Sequence, residues 1–186
     1  MKFRTARRIT ANFTSLITSE IISKIIQLII FVYLARTLGK EDFGIFSFGI
    51  AFALLIVTIA DFGLSTLLIR EISRNKNAAS KYVPNAVIVK ILLSVITLIV
   101  AYLFLNIMHY SPKLKIVAYI MLLFTIIQSF TELYHSVFRA FERMYYDATI
   151  KVLRMCILIG MVFYAIKNNY GLIAASLSFP IREFII

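Results

Sequence analysis

Ionisable side chains interrupt the long apolar stretches of this sequence. Glu20 and Lys24 stand one helical turn apart in the first stretch, and Asp61, Lys90 and Glu132 lie in three later ones. An ionised group that faces lipid at the bilayer centre costs on the order of 3 kcal/mol, so five of them would cost about 15 kcal/mol. That total rivals the stability of a whole domain. These side chains are therefore expected to face one another, or water, inside a helical bundle.

Polar residues recur at helical spacing and form a stripe on each of two stretches. Spacings of three and four residues place side chains on one face of a helix. The first stripe comprises Ser15, Ser19, Glu20, Ser23, Lys24 and Gln27, and the other comprises Gln128, Glu132, His135 and Arg139. Counted at about 1.5 Å per residue from the end of each stretch that is assigned to the cytoplasm below, Glu20, Asp61, Lys90 and Glu132 lie roughly 10–14 Å deep in the membrane. Lys24 lies one turn deeper. This common layer predicts a hydrated, cytoplasm-facing cavity lined by the first, second and fourth helices.

The charged residues before the fourth stretch have competing interpretations. Glu20 and Lys24 have the acid-before-base order that favours an i,i+4 pair, so they neutralise each other, line the cavity, or do both. Lys90 either extends its ammonium to the cytoplasmic headgroups, which is favoured, or binds substrate. Asp61 has no partner on its own helix, so it carries the strongest expectation of a function.

The two remaining residues of the second polar stripe, His135 and Arg139, each have one preferred interpretation. His135 is expected to be an interior histidine that donates a hydrogen bond to Glu132 one turn away, in preference to acting as a ligand or a proton relay. Arg139 is expected to anchor its helix at the membrane boundary.

Membrane-spanning helices are the elements that must position these residues. The chain has 186 residues, of which 61% are hydrophobic, and a mean hydropathy of +0.89. A spanning helix needs about 20 mostly apolar residues, and helices satisfy their own backbone groups in lipid. Such stretches occur at 13–38, 45–69, 83–107, 116–138 and 145–166, and a partial sixth covers 171–186. The predicted fold is an all-α, polytopic membrane protein with five complete transmembrane helices and an incomplete sixth.

The positions of the basic residues predict the orientation of these helices. The net charge of +11 would suggest nucleic acid in a soluble protein, but here the basic residues gather mainly on one side of the spans. On that side lie Lys2, Arg4, Arg7, Arg8, Arg70, Arg74, Lys76, Lys81, Arg139, Arg143, Lys151 and Arg154, and on the other lie Arg36, Lys40, Lys113, Lys115 and Lys167. Because basic loops stay in the cytoplasm, the N-terminus is predicted to be cytoplasmic and the protein to lie in the cytoplasmic membrane, with no nucleic-acid partner.

The N-terminus and the single cysteine exclude two other interpretations. Residues 2–8 and the apolar run after them resemble a secretory signal, but the run is too long, contains two charged residues and lacks a small-residue cleavage pattern. Cys156 is the only cysteine, so the sequence offers neither a disulfide framework nor a thiolate metal site. It is expected to be a small buried apolar residue.

Sequence motifs of enzyme chemistry are absent. The sequence has no Gly-rich phosphate loop, no His-Glu-x-x-His pair and no nucleophile elbow. Two histidines and one cysteine also leave little material for a metal site. The chain is therefore expected not to be an enzyme and to hold no metal or organic cofactor.

Four short motifs resemble those of a known family. Ala35-Arg36-Thr37-Leu38-Gly39, three further residues and Phe43-Gly44 connect the first two spans, with Gly39 as a predicted helix stop. Asp61-Phe62-Gly63-Leu64 follows near the end of the second span, Arg70-Glu71-Ile72-Ser73-Arg74 lies in the basic loop, and Phe138-Arg139-Ala140-Phe141-Glu142-Arg143 comes after the fourth. In this order and these positions they are similar to the polysaccharide and oligosaccharide flippases. Those flippases form a branch of the superfamily that contains the multidrug and toxin extruders.

The resemblance implies a transporter that moves a lipid-linked sugar chain from the cytoplasmic to the outer leaflet. Such proteins have about twelve to fourteen helices in two bundles that face each other across a central cavity. Residues 1–186 are therefore expected to form the N-terminal bundle only, truncated in its sixth span. A second bundle, or a second copy of the chain, is expected as its partner.

Side-chain chemistry, and not the family motifs, suggests roles for the cavity residues. A lipid phosphate or pyrophosphate needs cations, and sugar hydroxyls need hydrogen-bonding amides. The candidates for substrate binding are Lys24, Gln27, Lys90 and Gln128. The candidates for binding a coupling proton or sodium ion are Glu20, Asp61, Glu132 and His135.

Two other functions stay open at this point. An extruder of cationic or amphipathic small molecules would share the fold, and the acidic cavity residues favour it, whereas the loop motifs favour the flippase. A non-transporting membrane scaffold would instead bind a partner through the basic loops at 70–81 and 139–154.

Overall fold

The computed structural model consists of α-helices joined by short connections. It describes the backbone of residues 2–141 and 144–185, and the side chains of residue 14 and of residues 17–141 and 146–185. Within these ranges the elements are α1 (Lys2–Asp61), α2 (Leu64–Arg74), a short 3-10 helix (Lys76–Ala78), α3 (Ala79–Ile107), α4 (Pro112–Ala140), α5 (Met144–Lys167) and α6 (Gly171–Ile185). The side chains of Ser15, of Arg143 and of the basic residues at 2–8 lie outside the described ones.

Gly39 divides α1 into two helices, α1a at 2–38 and α1b at 40–61. Its backbone has φ 78° and ψ 174°, outside the helical region and accessible mainly to glycine. The ring of Phe31 lies 5.3 Å from that of Phe43 and 5.7 Å from that of Phe46. A straight helix would separate residues 31 and 46 by about 22 Å. The chain therefore reverses direction at Gly39, as the sequence predicts.

A second break follows at Phe62 and Gly63. Both residues have positive φ, 37° and 77°, so α1b ends at Asp61 and α2 starts at Leu64. The prediction of one continuous helix over 45–69 is therefore wrong. Hydropathy continues across the break, and only the left-handed backbone at two successive residues ends the helix there.

Contacts between the long helices show that successive ones alternate in direction. Helices α1a and α5 are parallel, because Glu20 contacts Lys151 and Tyr33 contacts Phe163. Helices α1b and α4 are also parallel, because Asp42 contacts Lys113 and Gly49 lies against Val117. Helices α1b and α3 are antiparallel, because Asp61 contacts Lys90 and Phe52 contacts Phe104. Short connections between antiparallel neighbours produce this up-and-down bundle.

The burial pattern of α3 is the inverse of that of a soluble helix. Its buried face carries Lys90, Ser94 and Thr97, at intervals of four and three residues. Large aliphatic side chains cover its exposed face: Ile88, Val89, Ile91, Leu92, Val95, Ile96, Leu98, Ile99 and Leu103. Polar groups inside and aliphatic groups outside are stable only when the surroundings are lipid.

The described helices include segments long and apolar enough to cross a membrane. They are Ile17–Asp61, Lys76–Ile107, Pro112–Ala140 and Tyr146–Lys167. The first has 45 residues and contains the reversal at Gly39. Together with the burial pattern of α3, they show a multi-pass membrane protein in contact with lipid.

The bundle core is formed by α1, α3, α4, α5 and α6. Leu34, Phe46, Val117, Met121 and Phe179 are among its buried residues. Its packing is tight at Gly49, where an added Cβ would lie 3.2 Å from Cγ1 of Val117.

A smaller apolar cluster holds α2 against α3 and α4. It contains Leu68, Ile72, Ala86, Leu133 and Ala140. Cys156, expected to be buried, is instead exposed on α5, because the helix turns that position away from the bundle.

Candidate functional site

A polar cavity of about 310 Å³ lies inside the bundle. Five of the candidate binding and coupling residues line it, namely Glu20, Lys24, Gln27, Gln128 and Glu132. The sequence predicts a cavity lined by the first, second and fourth helices, which correspond to α1a, α1b and α4, and all three contribute to its lining. The structure adds α5 through Lys151, Met155 and Leu158, and α6 through Phe179 and Arg182.

The expected pair of Glu20 and Lys24 is secondary to another contact. Oε1 of Glu20 lies 3.9 Å from Nζ of Lys24, whereas its Oε2 accepts a hydrogen bond of 2.7 Å from Lys151 on α5. Lys24 remains 69% exposed. The carboxylate of Glu20 therefore lies between two ammonium groups from two helices, and the Lys151 contact is the stronger because it is shorter.

Arg182 places a guanidinium against the aromatic wall of the cavity. Its guanidinium carbon lies 5.0 Å from the ring centroid of Phe124 and 5.7 Å from that of Phe179, both within cation–π range. Its Nε donates a hydrogen bond of 3.1 Å to Glu183, and its Nη1 lies 3.4 Å from the sulfur of Met155. The residue is 3% exposed. The fixed, planar guanidinium suits bidentate binding of a phosphate or carboxylate.

The surroundings of Arg182 carry an excess positive charge. Glu183 is shared, because its Oε2 also lies 3.1 Å from Nη1 of Arg154. Two guanidinium groups therefore face one carboxylate, and the side chains of Arg182 and Glu183 are only 4% and 1% exposed. A buried, uncompensated cation is costly, so this end of the cavity favours an anionic ligand.

Asp61 and Lys90 form an ion pair beside the cavity. Nζ of Lys90 donates a hydrogen bond of 2.9 Å to Oδ1 of Asp61, and Oγ of Ser65 donates one of 3.4 Å to the same oxygen. The Lys90 side chain has no exposed surface, so the preferred expectation that it reaches the headgroups is wrong. Its partner is on another helix, which inspection of one helix at a time cannot reveal.

Asp61 also faces a neighbouring cavity of about 340 Å³. Thr58, Ser129, Gln128 and Glu132 contribute to its lining. Because Gln128 and Glu132 line both spaces, the two cavities adjoin at α4. Lys90 is not among the residues that line either one.

A chain of ion pairs joins the ends of α4 and α5. Nδ1 of His135 lies 2.8 Å from Oδ1 of Asp147, whose Oδ2 accepts a hydrogen bond of 2.8 Å from Arg139. Arg139 also donates one of 2.6 Å to Glu132. The expected hydrogen bond between His135 and Glu132 is therefore wrong, and Arg139 is an interhelical connector in addition to any anchoring role. His135 is buried outside the lining of the central cavity.

Metal coordination finds little support in the described part of the chain. His, Cys, Asp and Glu side chains there do not gather in groups of three or more that could hold a metal ion.

The loop motifs, the membrane-spanning helices and the polar cavity agree with the comparison to known families. The family model described as polysaccharide biosynthesis protein matches residues 9–183. The chain belongs to this family. The family resemblance of the loop motifs is thereby confirmed. No curated protein and no solved structure gave a significant match.

Sequence reasoning missed Lys151 and Arg182 as residues of the cavity. Lys151 is predicted to lie in a basic cytoplasmic connection, and Arg182 interrupts the last apolar stretch without a predicted role. A signal for Lys151 existed, because it is four residues from Asp147 and from Met155 and therefore shares a helix face with them. For Arg182 the only signal is an ionisable residue within an apolar segment, as for Asp61.

Proposed function

We propose that this member of the polysaccharide biosynthesis protein family moves a lipid-linked oligosaccharide or polysaccharide precursor across the cytoplasmic membrane. The observation that carries the proposal is the excess positive charge around Arg182 in a cavity lined by membrane-spanning helices. A lipid phosphate or pyrophosphate is an anion that must leave water to cross a bilayer, and a preformed cationic site lowers that cost. The process is transport without bond making or breaking, so the protein is proposed not to be an enzyme.

In this proposal the headgroup phosphate binds to Arg182 and Lys151, and Lys24 attracts it at the mouth of the cavity. Gln27 and Gln128 line the same space and can donate and accept hydrogen bonds with sugar hydroxyls. Lys90 is omitted from the substrate site, because Asp61 neutralises it.

Glu20 is the leading candidate for the coupling ion. Lys151 is held by Glu20 at 2.7 Å, so a proton or sodium ion on that carboxylate would release the ammonium for the substrate phosphate. Glu132 is the second candidate, since it lines the cavity and is held by Arg139. Asp61 and His135 are further candidates but already pair with Lys90 and Asp147.

The proposed orientation has the N-terminus and the connection between α2 and α3 in the cytoplasm. The up-and-down order of the long helices is compatible with five crossings, of which α1a and α1b count as two. A second bundle or a second copy of the chain would form the opposite wall of the cavity.

A reconstitution assay tests the proposal. Vesicles containing the purified chain and a fluorescent lipid-linked oligosaccharide are treated with a membrane-impermeant quencher, and the fraction protected in the inner leaflet is followed over time. We expect loss of protection at a rate that rises with protein density, with a quadratic rise if two copies form the transporter. Equal rates in empty vesicles and in vesicles at high protein density would refute transport by this chain.

The extruder remains the second candidate, because two carboxylates, Glu20 and Glu132, line the cavity. The same vesicles loaded with a fluorescent organic cation distinguish the two. Cation release without movement of the lipid-linked sugar would favour the extruder. If neither moves, and a cytoplasmic protein is instead retained by residues 70–81 in a binding assay, the chain is a membrane scaffold.

Cysteine labelling tests the access to the cavity. In a Cys156→Ser background, cysteines introduced at Glu20, Asp61 and Glu132 are expected to react with a small polar reagent applied from the cytoplasmic side. A lack of reaction at all three positions would show that the cavity is not open to cytoplasmic water.

A further inference from the structure

A groove of about 520 Å³ lies between α1a and α5 on the outside of the bundle. Its lining residues are Thr14, Thr18, Ser19, Ile22, Ala148, Thr149, Val152, Leu153 and Cys156. They are apolar residues and small hydroxyl residues, and none carries a charge. The volume lies within the roughly 300–1,000 Å³ typical of ligand sites.

The groove and the polar cavity lie back to back on the same two helices. Each residue advances about 100° around a helix, so neighbours in sequence point to different sides. On α1a, Glu20 and Lys24 turn to one side of the contact with α5, whereas Thr18 and Ile22 turn to the other. On α5, Lys151 faces the cavity.

The helical wheel of α5 completes this arrangement. Lys151 and Leu158 lie on the cavity side of its contact with α1a, whereas Thr149, Leu153 and Cys156 lie on the groove side. Only the line of contact between α1a and α5 separates a lipid-facing groove from a charged cavity.

Small side chains form that line of contact. Ser19, Ser23 and Ala148 are 3%, 4% and 5% exposed, so the helices approach closely there. On its cavity side the two helices are joined by the 2.7 Å hydrogen bond from Lys151 to Glu20. Farther along the same two helices, Tyr33 stacks on Phe163 at 4.1 Å. A cation therefore stands directly behind an apolar groove.

We propose that the groove between α1a and α5 binds the long hydrocarbon tail of the lipid phosphate whose headgroup occupies the cavity. This inference rests on the proposed function and adds where the tail lies. The ligand is an amphiphile with one anionic end and one apolar end, and the two sites match those ends in charge and polarity. The tail remains in contact with the bilayer, since the groove is on the outer surface. The phosphate reaches Lys151 around the end of the line of small residues.

An ordinary bilayer lipid is the competing occupant of the groove. Its acyl chains would fill the same apolar space, but its phosphate would stay in the headgroup layer, away from Lys151. A tail held through its phosphate therefore depends on Lys151, whereas a bilayer lipid in the groove does not.

Cys156 provides the test without any substitution, because it is the only cysteine, is exposed and lines the groove. The chain in phosphatidylcholine nanodiscs is alkylated with a membrane-permeant maleimide, with and without polyprenyl phosphate. At a ligand concentration about twice its Kd, alkylation of Cys156 is expected to slow about threefold, since two thirds of the grooves are occupied. The uncharged polyprenol and inorganic phosphate at the same concentration are expected to have no effect.

Four variants make the result specific. Cys156→Ser with Ile99→Cys moves the thiol to the lipid-facing side of α3, where polyprenyl phosphate is expected not to slow alkylation. Lys151→Gln is expected to abolish the protection of Cys156. Leu153→Trp partly fills the groove and is expected to weaken protection, whereas Leu92→Trp on α3 is not.

Two results would overturn the inference. One is a sign of ordinary lipid packing. It would be seen either as equal slowing of alkylation at Cys156 and at the Ile99→Cys control, or as protection of Cys156 that survives Lys151→Gln. The other is binding of radiolabelled polyprenyl phosphate with Cys156 unprotected. In that second case the groove assignment fails while the cavity proposal stands, whereas loss of binding altogether contradicts both.

Discussion

Nζ of Lys90 lies 2.9 Å from Oδ1 of Asp61, although the two residues belong to antiparallel helices and the lysine side chain is completely buried. The pair stands immediately before the break at Phe62 and Gly63, where α1b ends. It therefore joins α3 to the end of α1b at the point where the chain changes direction, and it accounts for a charge in each helix that lipid would exclude.

Removal of one partner of this pair should cost more than removal of both. Asp61→Asn leaves a buried ammonium without its counter-ion, so the free energy of unfolding should fall by about 3 kcal/mol. The double variant Asp61→Asn with Lys90→Met should recover most of this loss. Unfolding by SDS in detergent micelles measures both. Equal losses in the single and double variants would mean that the charge of Lys90 is compensated by other groups.

Arg182 should matter for transport more than for folding. Arg182→Gln leaves Glu183 paired with Arg154, a neutral set, so the bundle should fold. The lost charged contact is worth about 1.5–3 kcal/mol, so the rate of lipid-linked sugar transfer should fall about tenfold to a hundredfold. Arg182→Lys keeps the charge without the planar group and should be intermediate.

Arg70→Gln is the matched control for that variant, since it removes one arginine charge from an exposed position on α2. It should change the transfer rate little. If Arg70→Gln and Arg182→Gln lowered the rate alike, the net charge of the chain, and not the cavity, would be responsible.

Asp147 should be the critical member of the ion pairs between α4 and α5. It is the shared partner of His135 and Arg139, and its side chain is 1% exposed. Asp147→Asn leaves Arg139 with Glu132 alone, so we expect about 3 kcal/mol less stability and faster hydrogen exchange at the start of α5. Glu71→Gln, which changes one carboxylate in α2, should leave exchange in α5 unchanged. Unaltered exchange in Asp147→Asn would contradict the structural role assigned to these pairs.

Gly49 should tolerate a larger side chain poorly. An added Cβ would lie 3.2 Å from Val117 and 3.5 Å from the backbone nitrogen of Ala118, so Gly49→Val should separate α1b from α4 at a cost of about 1–3 kcal/mol. Gly44→Val introduces the same side chain in the same helix, where nothing lies within 4 Å of the Cβ position. SDS unfolding should therefore show a loss for Gly49→Val only. Similar losses in both would assign the effect to helix propensity.

The orientation of the helices can be tested in whole cells. In a Cys156→Ser background, Asn75→Cys should react with an impermeant maleimide only after the cells are permeabilised. Met108→Cys and Asn168→Cys should react in intact cells. Both lie at the proposed outer side, after α3 and α5 respectively. The opposite pattern would invert the predicted topology.

Much of the fold could be predicted from local features of the sequence. Hydropathy located the segments that became α1a, α3, α4 and α5, because a bilayer selects apolar runs of a certain length. Gly39 marked the reversal, because only glycine adopts its backbone angles readily. The break at Phe62 and Gly63 escaped prediction although Gly63 carries the same signal as Gly39, because the apolar run continues across it.

Helical periodicity predicted which side chains of one helix share a face, and this placed Glu20, Lys24, Gln27, Gln128 and Glu132 in one cavity. It could not predict pairing between helices. A helix wheel shows the direction of a side chain but carries no information about the neighbouring helix, its register or its distance.

By itself, then, the sequence determined that the chain is a bundle of membrane helices with buried charges, because burying those charges in lipid is too costly. The tertiary structure alone decided that Lys151 holds Glu20, that Asp61 neutralises Lys90, and that Arg182 and Arg154 share Glu183. The physical reason is that an ion pair requires contact within about 4 Å, which only the packing of separate helices provides.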